Sequence, residues 1–529
     1  MDETRRGRDG GRLKARAAPQ LSRRGFLRAG TATVGALAVA GPLAGLRSAG
    51  ATPDPTNGYG PLAPVADRTT GLPLLLLPAG FGYESFGWAG DLMDDGTPTP
   101  DRHDGMAVVD VRPHTGGRGH EVALIRNHER GPSLPGMPVP VVGDGHAPVY
   151  DGFRLPGLVE GLGGGTTALT YADGALTSSR ATLGGTLVNC AGGPTPWGSW
   201  LTCEEVVVRG PDLGLRDHGF VFEVPSPWQG DASAAPIEAA GLMRHEAAAI
   251  DPATGDLYLT EDNAPLSGLY RMRPHRKAQQ IGDLERGGTL EMLKVVGEDN
   301  ADLGAATQGT QVAVEWVEIP DPTADPERFE PPAPGFPPVQ GAGRSGPFLQ
   351  GQAQGGASFR RGEGCWYDEG VVYIVDTSGG PAGKGTVWAL KLDRGRGHGS
   401  RRGERATLTA IFVSPDEETA DNPDNITVSP RGGLLVCEDG FGRLAGDGSR
   451  DFGTRLIGIN DRGGSFVFAE NNVVIDGPVP GRPQIAPGDY RGMEFAGATF
   501  SPAGDVLFVN NYLPGITFAI TGPWRRGRL

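Results

Sequence analysis

The residues best equipped for chemistry recur as short acidic endings to apolar stretches: Cys203-Glu204-Glu205, Glu261-Asp262, Asp376 and Glu438-Asp439. Carboxylates gathered in one place repel one another unless cations neutralise them, and a thiol among them adds a soft ligand to hard oxygen donors. If the stretches are equivalent units of a repeat, their ends converge and the acids form a metal site. If they are not, the same acids simply end strands and face water. A second cluster is Arg361-Gly362-Glu363. A guanidinium there can grip a phosphate in a bidentate way while the neighbouring carboxylate holds a metal, or the two form an ordinary surface ion pair. His103-Asp104, Arg126-Asn127-His128-Glu129 and Arg244-His245-Glu246 are further polar clusters in an apolar background.

The elements that would position these groups are hairpins. Ala249–Asp262, Ile426–Asp439 and Ala498–Asn511 each read as an apolar strand, a turn containing Pro or Gly, and a second strand with a polar end. Looser copies run over Gly193–Glu205 and Tyr367–Asp376, and residues 100–130 leave room for one more. The same hairpin repeated along a chain predicts an all-β fold, a β-propeller of six blades with loop insertions. The 87 glycines and 46 prolines lie between short strands, as a turn-rich β fold requires. The stretch 319–356 is rich in Pro and Gly without periodicity and reads as an insertion within a single propeller domain, residues 52–529. Gly341–Gly346 matches a dinucleotide-loop pattern, but without a strand before it or a helix after it the match is noise.

Residues 1–51 read as a twin-arginine signal peptide. A basic start leads to Arg23-Arg24-Gly25-Phe26-Leu27, then a mild apolar run, then the small residues Ala49-Gly50-Ala51. The run contains Gly35, Gly41 and Pro42 and makes a poor membrane span, so no stable membrane anchor is expected. The protein should therefore work outside the cytoplasm, secreted, periplasmic or at the cell surface.

The whole chain has 48 Lys and Arg against 63 Asp and Glu. Removing residues 1–51, with ten basic and three acidic residues, leaves 38 against 60, a net charge of −22. That surface argues against nucleic acid as a partner. Four cysteines are too few for a disulfide scaffold, although a Cys190–Cys203 bridge is one reading of the pair.

The block Asn189–Glu205 resembles the PhoX family of alkaline phosphatases, and Arg126–Glu129, Arg361–Gly364, Pro423–Asn425 and Thr517–Trp524 continue the resemblance in order. The resemblance implies a six-bladed propeller, twin-arginine export and phosphomonoester hydrolysis at an iron–calcium cluster. Carried over residue by residue, it implies Cys203 as the thiolate on ferric iron. Glu204, Glu261, Glu363 and Glu438 or Asp439 become the carboxylates for iron and calcium, and Arg361 the phosphate contact. Arg361 and Cys203 are then the catalytic candidates, and the substrate is a small organic phosphate met by a monomer. The chain departs from the family pattern at Val206-Val207-Val208. The rival readings are a non-catalytic calcium-binding propeller scaffold and a propeller hydrolase of lactones, neither of which has a use for an axial thiolate.

Overall fold

A computed structural model describes residues 58–529 apart from 115–118, 136–144, 211–213, 331–338, 393–405 and 461–462. The proposed signal segment, residues 1–51, lies outside the described residues. Strands dominate; the only α-helix among the described residues is Gly346–Gln352.

Six hairpins organise the chain. Their inner strands are His103–Pro113, Asn189–Pro194, His245–Ile250, Gly362–Asp368, Pro423–Val428 and Phe495–Phe500. Each pairs antiparallel with the strand that follows it: His120–His128, Ser199–Glu204, Leu257–Glu261, Val371–Asp376, Leu434–Glu438 and Val506–Asn511. Each inner strand lies beside the next, and the last lies beside the first, so the six make a closed ring. Further strands extend each hairpin outward. The arrangement is that of a β-propeller. The final sheet is completed by an N-terminal strand, Gly82–Phe86, paired with Ile516–Thr521 near the C-terminus, which ties the ring shut.

The sequence dictates these hairpins locally. Val506-Leu507-Phe508-Val509 and Leu434-Leu435-Val436 are β-branched, aromatic and aliphatic runs, and they are apolar on both faces because sheets pack against both. The turns need glycine: Gly255, Gly432 and Gly504 take φ of 81°, 84° and 68° as each chain reverses. Between sheets lie apolar clusters such as Leu77, Tyr83, Leu435, Phe468, Phe518 and Trp524. Each large side chain so buried is worth about 1.5–3 kcal/mol.

The 319–356 stretch contains a strand, Val339–Ala342, that pairs with Val208–Arg209. The Val206-Val207-Val208 departure therefore has a structural use. All three side chains are buried, and the Val207 carbonyl accepts from the Gly341 amide. No helix among the described residues is long and apolar enough to cross a membrane.

Candidate metal centre

The ring is built by one device repeated six times. In five inner strands the pairing register skips at the same place, between His103 and Met106, Asn189 and Gly192, His245 and Ala248, Gly362 and Cys365, and Pro423 and Ile426, and in the sixth it skips one residue later, between Ala496 and Thr499. Such a bulge re-aims side chains at a functional edge. It is accompanied by a hydrogen bond from the residue just after the second strand to the residue just before the bulged hairpin pairing. Glu129, Glu205, Asp262, Thr377, Asp439 and Tyr512 donate their amides to the carbonyls of Arg102, Val188, Arg244, Arg361, Asn422 and Glu494, at 2.9–3.1 Å in every case. Six equivalent sets of residues thus surround one axis.

The bulges hold Asp104, Cys190, Glu246, Glu363 and Asp424, and these meet residues of the second set. Ligand-capable atoms lie within 4.8 Å of one another in four overlapping groups: Asp104–Glu129–Cys190, Cys190–Glu205–Glu246, Glu246–Glu363–Asp424 and Asp424–Asp439–Glu494. Cys190, Glu246 and Glu363 have no solvent exposure. The Cys190 thiol donates to Glu246 Oε1 at 2.9 Å and approaches Asp104 Oδ2 at 3.5 Å. So many buried carboxylates around a thiol are a donor set that fits cations, because buried charge without a partner costs several kcal/mol.

Small residues make this convergence possible. Each axial ligand is followed by Gly105, Ala191, Ala247, Gly364 or Asn425. A Cβ on Gly105 would sit 2.6 Å from the Ala191 Cα, and one on Gly364 would sit 2.6 Å from the Asp424 carbonyl oxygen. These residues line an axial cavity of about 20 Å³ beneath the acids, room for little more than a water molecule.

Arg361 stands over the acids. Its Nε and Nη2 donate to the two Asp262 carboxylate oxygens at 2.8 and 2.7 Å, and Nη2 lies 2.7 Å from Glu363 Oε1. Burial works against its charge, but Asp262 and Glu363 outweigh burial and hold it firmly protonated.

The structure brings Glu363, Asp439 and Arg361 together and places the other sequence candidates elsewhere. Cys203 points away from the axis into an apolar cluster with Leu201, Val221, Met243 and Leu259, where burial pushes its thiol well above its ordinary range. Cys190 is the thiol among the carboxylates, and none of the four cysteines is disulfide-bonded, so no Cys190–Cys203 bridge forms. Glu204 accepts from the amides of Leu187, Gly219 and Phe220 at 2.8, 2.8 and 3.2 Å and contacts His218 Nδ1 at 2.7 Å. Glu261 accepts from the Tyr270 hydroxyl at 2.7 Å and the Gly268 amide at 3.1 Å. Glu438 accepts from the Asp421 and Arg455 amides at 2.7 and 2.8 Å, and from the Arg455 guanidinium. Asp376 likewise accepts from the Arg360 and Arg361 amides. The recurring acid at the last position of the second strand is thus a buried anchor for backbone amides, and burial raises Asp376 and Glu438 to about 7. The residue that turns to the axis is the next one.

Asp104, Glu129, Cys190, Glu246, Asp424 and Glu494 were not among the candidates, although most stand in the polar clusters noted from sequence, and Glu205 was read as a strand-end acid with Glu204 preferred as the ligand. For those on the inner strands the signal is an acid or thiol followed by Gly, Ala or Asn where the strand begins. Asp104-Gly105, Cys190-Ala191, Glu246-Ala247, Glu363-Gly364 and Asp424-Asn425 all carry it.

The fold and the site define a β-propeller phosphatase. The profile of the family described as alkaline phosphatase PhoX matches residues 57–141 and 161–515, and the chain belongs to the PhoX alkaline phosphatase family. Among solved structures, Pseudomonas fluorescens PhoX in complex with vanadate, a transition state analogue, is similar at TM-score 0.58 and 16% identity, over 87% of this chain and 98% of that one. Looser likenesses, which carry no weight for activity, include the gluconolactonase XC5397 from Xanthomonas campestris (TM-score 0.33, 12% identity, 88% of this chain and 98% of that one). Another is the PQQ domain of pyranose dehydrogenase from Coprinopsis cinerea (TM-score 0.30, 10% identity, 84% of this chain and 97% of that one). No curated protein sequence matches the chain.

Proposed function

We propose that the chain is an exported phosphomonoesterase, acting on small organic phosphates outside the cytoplasm with iron and calcium held by the axial ring. The observation that carries this reading is the four overlapping ligand groups, eight carboxylates and one thiol around a single axis. Cys190 with Asp104, Glu129, Glu205 and Glu246 would hold iron, since a thiolate with carboxylates suits ferric iron. Glu363, Asp424, Asp439 and Glu494 offer oxygen alone and suit calcium. Bound there, the cations would neutralise phosphoryl oxygens and acidify water for attack.

The chain's own groups do the rest. Arg361 offers its guanidinium to a phosphoryl oxygen, where it stabilises charge that grows toward the transition state. Asp262 fixes the plane of that guanidinium through two hydrogen bonds, and Glu363 fixes its height above the ring. The axial cavity is too narrow for an ester, so substrate approaches from the side where Arg361 stands.

Protein recovered after export from its native host should contain both iron and calcium and hydrolyse phenyl phosphate at alkaline pH. Iron- and calcium-loaded protein that turns over none of several unrelated monoesters contradicts the reading. Export rests on Arg23-Arg24: changing both to Lys should leave the precursor in the cytoplasm, and continued export would contradict that part.

A further inference from the structure

The six equivalent sets of residues are not chemically alike, and the seam between the last and the first is the exception. In the last set the bulge-side position is Ala496, and the position that supplies Glu129, Glu205, Asp262 and Asp439 in four other sets, and Thr377 in the fifth, is Tyr512. The first set, next to it in the ring, begins with Arg102, the counterpart of Arg361. At this seam an arginine and a tyrosine stand side by side in a largely acidic rim.

The two side chains meet across the seam. Arg102 Nη1 reaches Tyr512 Oη at 3.5 Å, and the His103 amide donates to the Tyr512 carbonyl at 3.3 Å. Both side chains are half-buried, open enough to touch a ligand and packed enough to hold position. Arg361 spends two donors on Asp262, whereas the single side-chain hydrogen bond of Arg102 among the described residues is that long one to Tyr512. Of the acids near Arg102, Asp101 is ion-paired with Arg130 at 3.0 Å and Glu129 belongs to the metal ring. Arg102 thus keeps most of its planar fork available, the geometry that suits a carboxylate or a phosphate. Its left-handed backbone, φ 53°, is shared by Val188 and Asn422 at the equivalent positions, so the repeat holds this arginine in a conformation a bulky residue seldom adopts.

We propose that Arg102 and Tyr512 form an anion subsite at this seam, which binds a second anionic group carried by the leaving group of the substrate. This rests on the phosphatase reading, and it names a substrate class: monoesters that bear a further carboxylate or phosphate. Glu129, whose amide is held by the Arg102 carbonyl, links the subsite to the metal ring, so an anion at Arg102 and a phosphoryl group at the ring can belong to one molecule.

The test compares phenyl phosphate with its 3- and 4-carboxy derivatives, using metal-loaded wild type and the variants Arg102→Gln, Arg102→Lys and Tyr512→Phe. The readout is the ratio of kcat/KM for the better carboxylated ester to that for the plain one. Wild type should favour a carboxylated ester. Arg102→Gln should lower the ratio about tenfold or more, Tyr512→Phe several-fold, and Arg102→Lys should restore part of it, as the loss of a charge-assisted hydrogen bond requires. Equal losses on the three esters, or a ratio within twofold of wild type in both Arg102→Gln and Tyr512→Phe, would overturn the subsite. If Arg102→Gln does not fold, the Tyr512→Phe ratio decides alone. Wild type inactive on every ester would instead refute the phosphatase reading.

Discussion

Glu204 and Glu205 are sequence neighbours with opposite fates: Glu204 is tied to three backbone amides and His218, while Glu205 lies within 4.8 Å of Cys190 and Glu246 at the axis. The alternation of side chains along a strand produces this split, since one step along the chain reverses the face. The same split separates Glu438 from Asp439, and Glu261 from Asp262.

Cys190 and Cys203 should therefore respond differently to serine. Cys190→Ser should lose most of its bound iron and any thiolate-to-iron absorption while melting near the wild-type temperature once calcium is supplied. Cys203→Ser should keep its iron but lose about 1–3 kcal/mol of stability, because it places a hydroxyl among apolar side chains. Metal analysis with thermal denaturation reads both, and iron loss in Cys203→Ser alone would reverse the assignment.

Arg361→Ala should lower kcat by a hundredfold or more, the usual scale for a group that meets transition-state charge. Asp262→Asn should cost about tenfold, since it leaves the guanidinium in place but removes one charged partner of the fork. Steady-state kinetics on phenyl phosphate separate the two. A larger kcat loss in Asp262→Asn than in Arg361→Ala would show that Arg361 does not contact the phosphate.

His218 predicts a pH dependence of stability. Burial alone would lower its pKa, but Glu204 and Asp151 outweigh burial and raise it to about 9 from an ordinary 6.5. A raised folded pKa stabilises fully below about pH 6.5, and that contribution fades as pH rises through 9. The contribution is roughly 3 kcal/mol at its largest. His218→Gln should thus be much less stable than wild type at pH 6, with the gap closing by pH 10 in chemical denaturation. A gap that widens with pH would contradict the ion pair.

Much of this architecture was legible in the sequence. The hairpins at Ala249–Asp262, Ile426–Asp439 and Ala498–Asn511 are strand pairs in the structure, because their apolar runs and Gly turns act locally. The site was legible in part: Arg361, Glu363 and Asp439 were candidates and Glu205 stands one residue from Glu204, but Asp104, Cys190, Glu246 and Asp424 were not among them. Recurrence drew attention to Glu204, Glu261 and Glu438, yet with Asp376 they recur because four of the six sheets use a buried carboxylate there to accept backbone amides. A repeated structural need leaves the same trace in sequence as a repeated ligand. What sequence could not show is the bulge, which turns Asp104, Cys190, Glu246, Glu363 and Asp424 to the axis, since it depends on pairing register and not on residue type.

The central claim is that catalysis belongs to the bulge-borne acids and not to the strand-end acids. Glu246 lies in two of the ligand groups, while Glu261, across the same hairpin, binds Tyr270. The direct measurement is phosphatase activity and metal content of Glu246→Gln beside Glu261→Gln, both loaded with iron and calcium. Glu246→Gln should lose a hundredfold or more in kcat/KM together with bound metal, and Glu261→Gln should keep both within a few-fold. Full activity and metal in Glu246→Gln, with both lost in a folded Glu261→Gln, would contradict the account.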